Sequence, residues 1–262
     1  MKTVIVIPAR YASTRYPGKP LVTLQDADGV AKSLIQRSWE AAMQVGGVDD
    51  VFVATDDDRI KDAAEAFGAK VIMTSTTCEN GTARCAEAAT AGVFEADLVV
   101  NLQGDAPLTP AWFVEDLIAA MAANPTAPVA TPVVLCDAQT YAHFRADRAA
   151  GLVGGTTAVF DRNNRALYFS KEVLPYIHPS KADEAEGDVF HHVGLYAYRP
   201  AALAQYADWP EGRLELHEGL EQLRFLENGT DILCVEVEGR GRVFWELNNP
   251  GDVERIESIL KG

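Results

Sequence analysis

The first 135 residues alternate short apolar runs with amphipathic stretches, and that rhythm leaves few folds open. "TVIVIP" (3–8), "VFVAT" (51–55), "KVIMT" (70–74), "DLVVNLQG" (97–104) and "VATPVV" (129–134) read as strands. "VAKSLIQRSWEAAMQV" (30–45) reads as a helix, with Leu34, Ile35, Trp39 and Ala42 at helical spacing. So do "DDRIKDAAEAFG" (57–68), which opens on acids and closes on Gly68, "TARCAEAATAGVF" (82–94) and "AWFVEDLIAAMAAN" (111–124). Strand–helix–strand repeats with right-handed crossovers predict an α/β fold on a doubly wound, mostly parallel sheet. Such sheets bind ligands beyond the carboxyl ends of their strands. Three polar stretches, 9–20, 75–84 and 103–107, fall at those ends and are expected to meet in one crevice.

From about residue 140 the pattern changes. "TTAVFDRNNRALYFSK" (156–171) predicts two strands around an "RNN" turn, and "HHVGLYAYR" (191–199) predicts another. Helices are expected near 200–207 and 214–228, then a strand over 231–239. A closing helix is expected with Asn249 as its cap and Pro250 at its start. Residues 172–189 are polar and read as irregular. At 262 residues the chain is long for one domain and short for two. A nucleotide-binding α/β domain over 1–137, a smaller mixed α/β lobe over 138–240 and a closing segment over 241–262 fit that length.

Charge sharpens the functional question. With 38 acidic against 23 basic side chains the formal charge is −15, which argues against nucleic acid as a partner, since nonspecific binding needs basic surface. Yet "VIVIPARYASTRYPGKPL" (4–21) sets Arg10, Arg15 and Lys19 in one Gly/Pro-punctuated loop directly after the first strand. Either this is a solvated surface loop or it is a local anion site. There is no GxxxxGK[ST] and no GxGxxG after the first strand, which argues against a P-loop and against a dinucleotide-binding dehydrogenase. Cationic side chains among backbone N–H groups suit a triphosphate whose leaving group is pyrophosphate. No apolar run approaches the roughly 20 residues that span a bilayer, so no membrane is expected as a partner. The N-terminal apolar stretch is too short for a signal peptide, which implies the cytoplasm. Cys78, Cys85, Cys136 and Cys234 show no metal-ligand spacing and are expected as reduced thiols.

Taken in order, "IPARYASTRYPGKPL", "VATDDDRI", "NGTAR", "VNLQGDAPL", "ALYFSK", "HHVGLYAYR" and "LEQLRFL" resemble the 3-deoxy-manno-octulosonate (Kdo) cytidylyltransferases, the CMP-Kdo synthetases. The likeness spans nearly the whole chain and is loosest over 140–190. It implies the nucleotide-diphospho-sugar transferase type of sheet, and a reaction of CTP with an acid sugar to give a CMP-sugar and pyrophosphate. On the family's pattern Arg10, Ser13 and Lys19 hold the phosphates, and Asn80, Thr82 and Arg84 lie along the nucleotide. Gln103 sits between nucleotide and acceptor, and Asp105 binds Mg²⁺, with Mn²⁺ as a substitute. Arg15, His192, Tyr196 and Glu215 belong to the acceptor pocket. Residues 192 and 196 share one face of their strand and can act together, or they are a half-buried core pair. Arg10, Lys19 and Asp105 are the residues expected to carry the chemistry. The resemblance also implies a homodimer formed through the 138–240 lobe, with 241–262 returning to the site.

Departures from that pattern concern the metal and the acceptor. Where the family has an Asp–Thr–Pro sequence before its last helix, this chain reads "ELNNPGDV", which puts Asn248 at the second metal position. An amide oxygen brings no charge to a hard cation, and Glu246 is a possible replacement carboxylate. Ala106 replaces a family Glu, and His191 and Lys171 replace family Arg residues. These changes leave the acceptor open between Kdo and another acid, such as an amino- or nonulosonic sugar or a phosphonate. A catalytically weak nucleotide-binding paralogue also remains open. "DDD" (56–58) reads as a helix start or as a second metal site, and His143, His178 and His217 as surface residues.

Overall fold

The computed structural model describes residues 1–12, 16–153, 155–178, 188–242 and 246–262. In chain order its elements are β1 (Thr3–Ala9), a 3-10 turn (Lys19–Leu21), β2 (Thr23–Gln25), β3 (Ala31–Ser33), α1 (Leu34–Met43), β4 (Asp50–Thr55) and α2 (Asp58–Ala66). Then come β5 (Lys70–Met73), α3 (Gly81–Thr90), β6 (Leu98–Leu102), α4 (Ala111–Ala123), β7 (Val129–Leu135) and α5 (Ala138–Ala149). The rest of the chain adds β8 (Thr157–Phe160), β9 (Ala166–Ser170), β10 (Phe190–His192), β11 (Leu195–Tyr198), α6 (Pro200–Asp208), α7 (Arg213–Glu218), α8 (Leu223–Glu227), β12 (Ile232–Glu236) and α9 (Asp252–Lys261).

Ten strands form one sheet in the order β5-β4-β1-β6-β11-β7-β10-β8-β9, with β12 paired in parallel to β7. The β5-β4-β1-β6 portion is parallel, as the strand–helix rhythm requires. Beyond β6 the pairings turn antiparallel: β11 to β6 and β7, β10 to β7 and β8, and β8 to β9. Strands after residue 137 therefore extend the same sheet.

Double winding follows from the side chains of β1. Ile5 and Ile7 join Ile35 of α1, Ile60 of α2 and Phe113 of α4 in one buried cluster. Val4 and Val6 point the other way and join Cys85 of α3, Leu203 of α6 and Phe225 of α8. A strand buried on both faces reads as a continuous apolar run, which is what "TVIVI" shows.

Several boundaries differ from expectation. Residues 31–33 are strand rather than helix, because Ala31–Ser33 pair with Thr23–Gln25 around a turn in which Asp26 accepts the N–H groups of Asp28 and Val30. Helix α1 then starts under a Ser33 cap. Helix α5 has no counterpart in the sequence reading, which saw only a change of pattern there. The segment expected as one helix over 214–228 breaks into α7 and α8. On a straight helix residues nine apart stand about 13.5 Å apart along the axis, whereas here Arg224 Nε lies 2.6 Å from Glu215 Oε2. Asn249 does not cap the last helix. Its N–H and that of Asn248 both donate to Asp252, so Pro250 and Gly251 form a turn and the helix begins at Asp252.

His191 and His192 lie side by side in β10, and burial drives both towards the neutral form, to about 4 and about 3 respectively. In the unfolded chain both titrate at their ordinary 6.5. Below that pH the unfolded state binds protons that the folded state refuses, so stability falls as pH drops from 6.5 towards 4. The expected slope is up to about 1.4 kcal/mol per pH unit for each histidine. Urea unfolding between pH 7.5 and 5 measures it, and His191→Gln is expected to remove about half.

Candidate active site

The three strand-end stretches do meet. Arg10, the first residue beyond β1, donates from Nη1 to the backbone oxygen of Glu79 (3.4 Å). Lys19 Nζ lies 2.5 Å from Asp105 Oδ2, with only 14% and 23% of the two side chains exposed. Between β6 and Asp105 stands Gly104, where an added Cβ would lie 2.7 Å from the backbone oxygen of Pro8. No side chain fits there, so Gly104 lets the end of β6 press against the end of β1 and carry Asp105 towards the basic loop. The closing segment comes in as well, since Leu247 N–H donates to Asp105 O (2.9 Å). The junction with 75–84 runs through Glu221, which accepts the Thr82 N–H (3.0 Å) and the Gln103 side-chain amide (3.5 Å).

The predicted nucleotide residues divide into two groups. Arg10, Lys19 and Gln103 lie at the crevice with the expected metal ligand Asp105, while Ser13 and, from the acceptor set, Arg15 lie outside the described residues. Asn80, Thr82 and Arg84 are committed to the protein itself. Asn80 caps α3 through Ala83 N–H (2.8 Å) and donates to the Tyr206 hydroxyl (2.9 Å). Thr82 shares a hydrogen bond with the Tyr198 hydroxyl (2.7 Å). Arg84 is buried, donates to Thr74 Oγ1 (2.5 Å) and pairs with Asp56 (3.4 Å). These contacts fix the N-terminus of α3 beside the crevice. They also account for much of "DDD": Asp56 faces Arg84, and Asp57 caps α2 while binding Arg59.

On the acceptor side, His192 and Tyr196 belong to one layer, with ring centroids 5.6 Å apart. Thr131 donates to Leu195 O (2.8 Å) and thus accepts from His192 Nε2–H (3.0 Å), which fits a neutral ring. Burial, reinforced by Glu221 and Glu246, holds the Tyr196 hydroxyl protonated. Glu215 is bound differently from the expectation. Both of its oxygens are taken by Arg224, at 2.6 and 2.8 Å, and Arg224 also reaches Glu79 (3.3 Å). Asn248 sits at the closing segment, its amide 3.4 Å from Glu246 Oε2.

Two residues at the site were not singled out from sequence. Glu221, within "LEQLRFL", is the carboxyl that joins α3 to Gln103, and burial raises its affinity for a proton. Asn101, within "VNLQGD", lies directly opposite Tyr196 on the next strand. It is fully buried, and neither side-chain polar atom has a hydrogen-bond partner. Both stood inside quoted motifs, but only the fold shows which way they point.

With this geometry in view, residues 4–232 match the family model for cytidylyltransferases. The chain belongs to the cytidylyltransferase family. It is 43% identical over 260 residues to the 3-deoxy-manno-octulosonate cytidylyltransferase of Maricaulis maris, covering 99% of this chain and 97% of that one. It is 41% identical over 259 residues to the enzyme of the same name from Escherichia coli, covering 99% and 96%. A solved structure of CMP:2-keto-3-deoxy-manno-octonic acid synthetase complexed with CTP superposes with a TM-score of 0.84 at 39% identity, covering 99% of this chain and 98% of the other. In this cytidylyltransferase the crevice between β1 and β6 is thus the place to look for the nucleotide.

The Glu215–Arg224 pair yields a direct test. Glu215→Ala leaves Arg224 without its bidentate partner in the core, an expected loss of about 3 kcal/mol. Denaturant titration is expected to show that loss. A stable variant with a raised acceptor KM alone would instead put Glu215 in the acceptor pocket.

Proposed function

We propose that this cytidylyltransferase transfers CMP from CTP to 3-deoxy-manno-octulosonate, releasing pyrophosphate, with a hydroxyl of the acid sugar attacking the α-phosphate. The observation that carries the reading is the Lys19–Asp105 pair joining the loop after β1 to the end of β6, with Arg10 binding the 75–84 stretch from the same loop, in a chain otherwise rich in acid. Relatives about 40% identical over their full length carry that activity in their names.

Arg10 and Lys19 neutralise the triphosphate and stabilise the charge that develops on departing pyrophosphate. In the free protein Lys19 is held by Asp105. A bound phosphate chain gives Lys19 a second anionic partner and leaves Asp105 available to a cation. The residues fit Mg²⁺: Asp105 supplies a carboxylate, and Leu247 N–H anchors Glu246 and Asn248, two further oxygen donors, beside the Asp105 backbone. Among the described residues no three His, Cys, Asp or Glu side chains cluster, which suits an ion held by one or two carboxylates plus substrate phosphates. Such an ion supplies Lewis-acid polarisation of the phosphate undergoing attack.

The acceptor falls to residues 138–240, where His192 and Tyr196 offer neutral hydrogen-bonding groups, with Gln103 contributing from the end of β6. Lys171 offers positive charge, since its ammonium has no carboxylate partner among the described residues. The same lobe carries Leu152, Val153, Leu167 and Tyr176 as exposed apolar side chains, which supports a homodimer through that surface. The cytoplasm is the compartment that fits four free thiols. No helix among the described residues is long and apolar enough to cross a membrane.

Mg²⁺-dependent pyrophosphate release from CTP, assayed with Kdo, a nonulosonic sugar acid and a phosphonate, tests the reading. Kdo is expected to give the highest kcat/KM. Lys19→Ala is expected to cost at least about tenfold in turnover or CTP binding, and Asp105→Asn about a hundredfold. Near-normal rates in Asp105→Asn would remove Asp105 from the metal site. Asn248→Asp adds a carboxylate and is expected to lower the Mg²⁺ concentration for half-maximal rate. An unchanged Mg²⁺ dependence would place Asn248 outside the metal shell.

A further inference from the structure

Residue Arg59 of "DDDRI" contributes nothing to the chemistry described above, yet its placement is specific. Its guanidinium carbon lies 3.3 Å from the centroid of the Tyr11 ring. The guanidinium is itself held flat by Asp57, through Nε to Oδ1 (2.9 Å) and Nη2 to Oδ2 (2.6 Å). Asp57 cannot turn away, because the same Oδ1 caps α2 by accepting Arg59 N–H (2.9 Å). The far side of the arrangement reaches the basic loop. Gly18 N–H donates to Tyr11 O (2.9 Å), and Gly18 has φ of +72° with its α-carbon against the ring, an added Cβ lying 3.1 Å from Tyr11 Cζ. The next residue is Lys19. A row of contacts thus runs from the rigid start of α2 through Asp57, Arg59, Tyr11 and Gly18 to the ammonium at the crevice.

We infer that Asp57, Arg59 and Tyr11 form a clamp that positions Lys19 for the triphosphate, Arg59 being a positioning residue for CTP. The inference rests on the reading of the crevice as the CTP site. Planar stacking is what the clamp uses: a guanidinium lies flat on a ring and binds a carboxylate edge-on at once, and an ammonium cannot do both. Asp57 also cancels the charge of Arg59, so the clamp supplies shape and not a further cation for the phosphates.

Two measurements on the full chain test this. Equilibrium binding of CTP with Mg²⁺ is expected to weaken about three- to fivefold in Arg59→Ala, the scale of one exposed cation–π contact. Arg59→Lys is expected to rescue little, Tyr11→Leu to match Arg59→Ala, and Tyr11→Phe, which keeps the ring, to bind as the parent does. In steady state the KM for CTP should rise while kcat and the acceptor KM stay within about twofold, a split that general loss of structure would not give. The second measurement is hydrogen exchange at the Gly18 amide without nucleotide, expected to quicken in Arg59→Ala and Tyr11→Leu but not in Tyr11→Phe. Unchanged exchange and unchanged CTP binding in a folded Arg59→Ala protein overturn the clamp. Faster exchange with no CTP binding in the parent would instead retain the clamp and discard the nucleotide reading.

Discussion

The ion pair between Lys19 and Asp105, at 2.5 Å, is the contact on which the arrangement of the site depends. It joins a loop from the first twenty residues to the end of the fourth parallel strand, and the backbone of Asp105 in turn receives the closing segment through Leu247. Three parts of the chain, remote in sequence, thereby share one residue, Asp105. Such closeness needs the missing side chain at Gly104, because β1 and β6 could not otherwise run so near each other at their ends. An ion pair this shielded from water is screened little by salt. It holds the basic loop in place before any anion arrives, at the cost of having to be partly undone when one does.

That arrangement also explains how an acidic protein serves an acidic substrate. The net charge of −15 repels anions at long range, so binding energy must come from a small region where cations outnumber acids. Many acids near the crevice are already matched to protein cations: Asp56 to Arg84, Asp57 to Arg59, and Glu79 and Glu215 to Arg224. Arg10, by contrast, donates to the backbone oxygen of Glu79. Pairing these acids with protein cations thus removes charge that would otherwise oppose an anion approaching Arg10 and Lys19.

The parallel half of the sheet was legible because a strand buried on both faces and an amphipathic helix leave opposite, readable periodicities. The crevice was legible for the same reason, since strand ends follow from strands. What was hidden depends on contacts between distant residues. Residues 31–33 carry helix-forming neighbours, and only pairing with 23–25 makes them strand. Nothing local announces that Arg224 folds back onto Glu215, so that segment looked like one helix. Arg10 and Asp105 could be singled out because they follow strand ends, and Lys19 because it is a cation in the loop after β1, whereas Glu221 and Asn101 face their partners from elements whose orientation depends on the whole fold. Spacing put Asn80, Thr82 and Arg84 at a strand end but could not reveal that their side chains bind other parts of the protein.

The acceptor half works under a different physical constraint. An acid sugar brings a carboxylate, and a buried carboxylate needs a cation or several donors. His192 cannot be the cation, because burial keeps its ring neutral down to about pH 3 and leaves only a hydrogen-bonding role. Tyr196 stays protonated for a related reason and can only donate or accept. Glu221 is pushed towards its neutral form, which lessens its repulsion of an incoming anion. Burial thus favours the uncharged form of all three groups. On the function proposed above, positive charge for the acceptor is left to less deeply buried side chains such as Lys171. On that reading the buried neutral groups select the acceptor by shape and hydrogen bonding, and the charged groups around them select it as an acid.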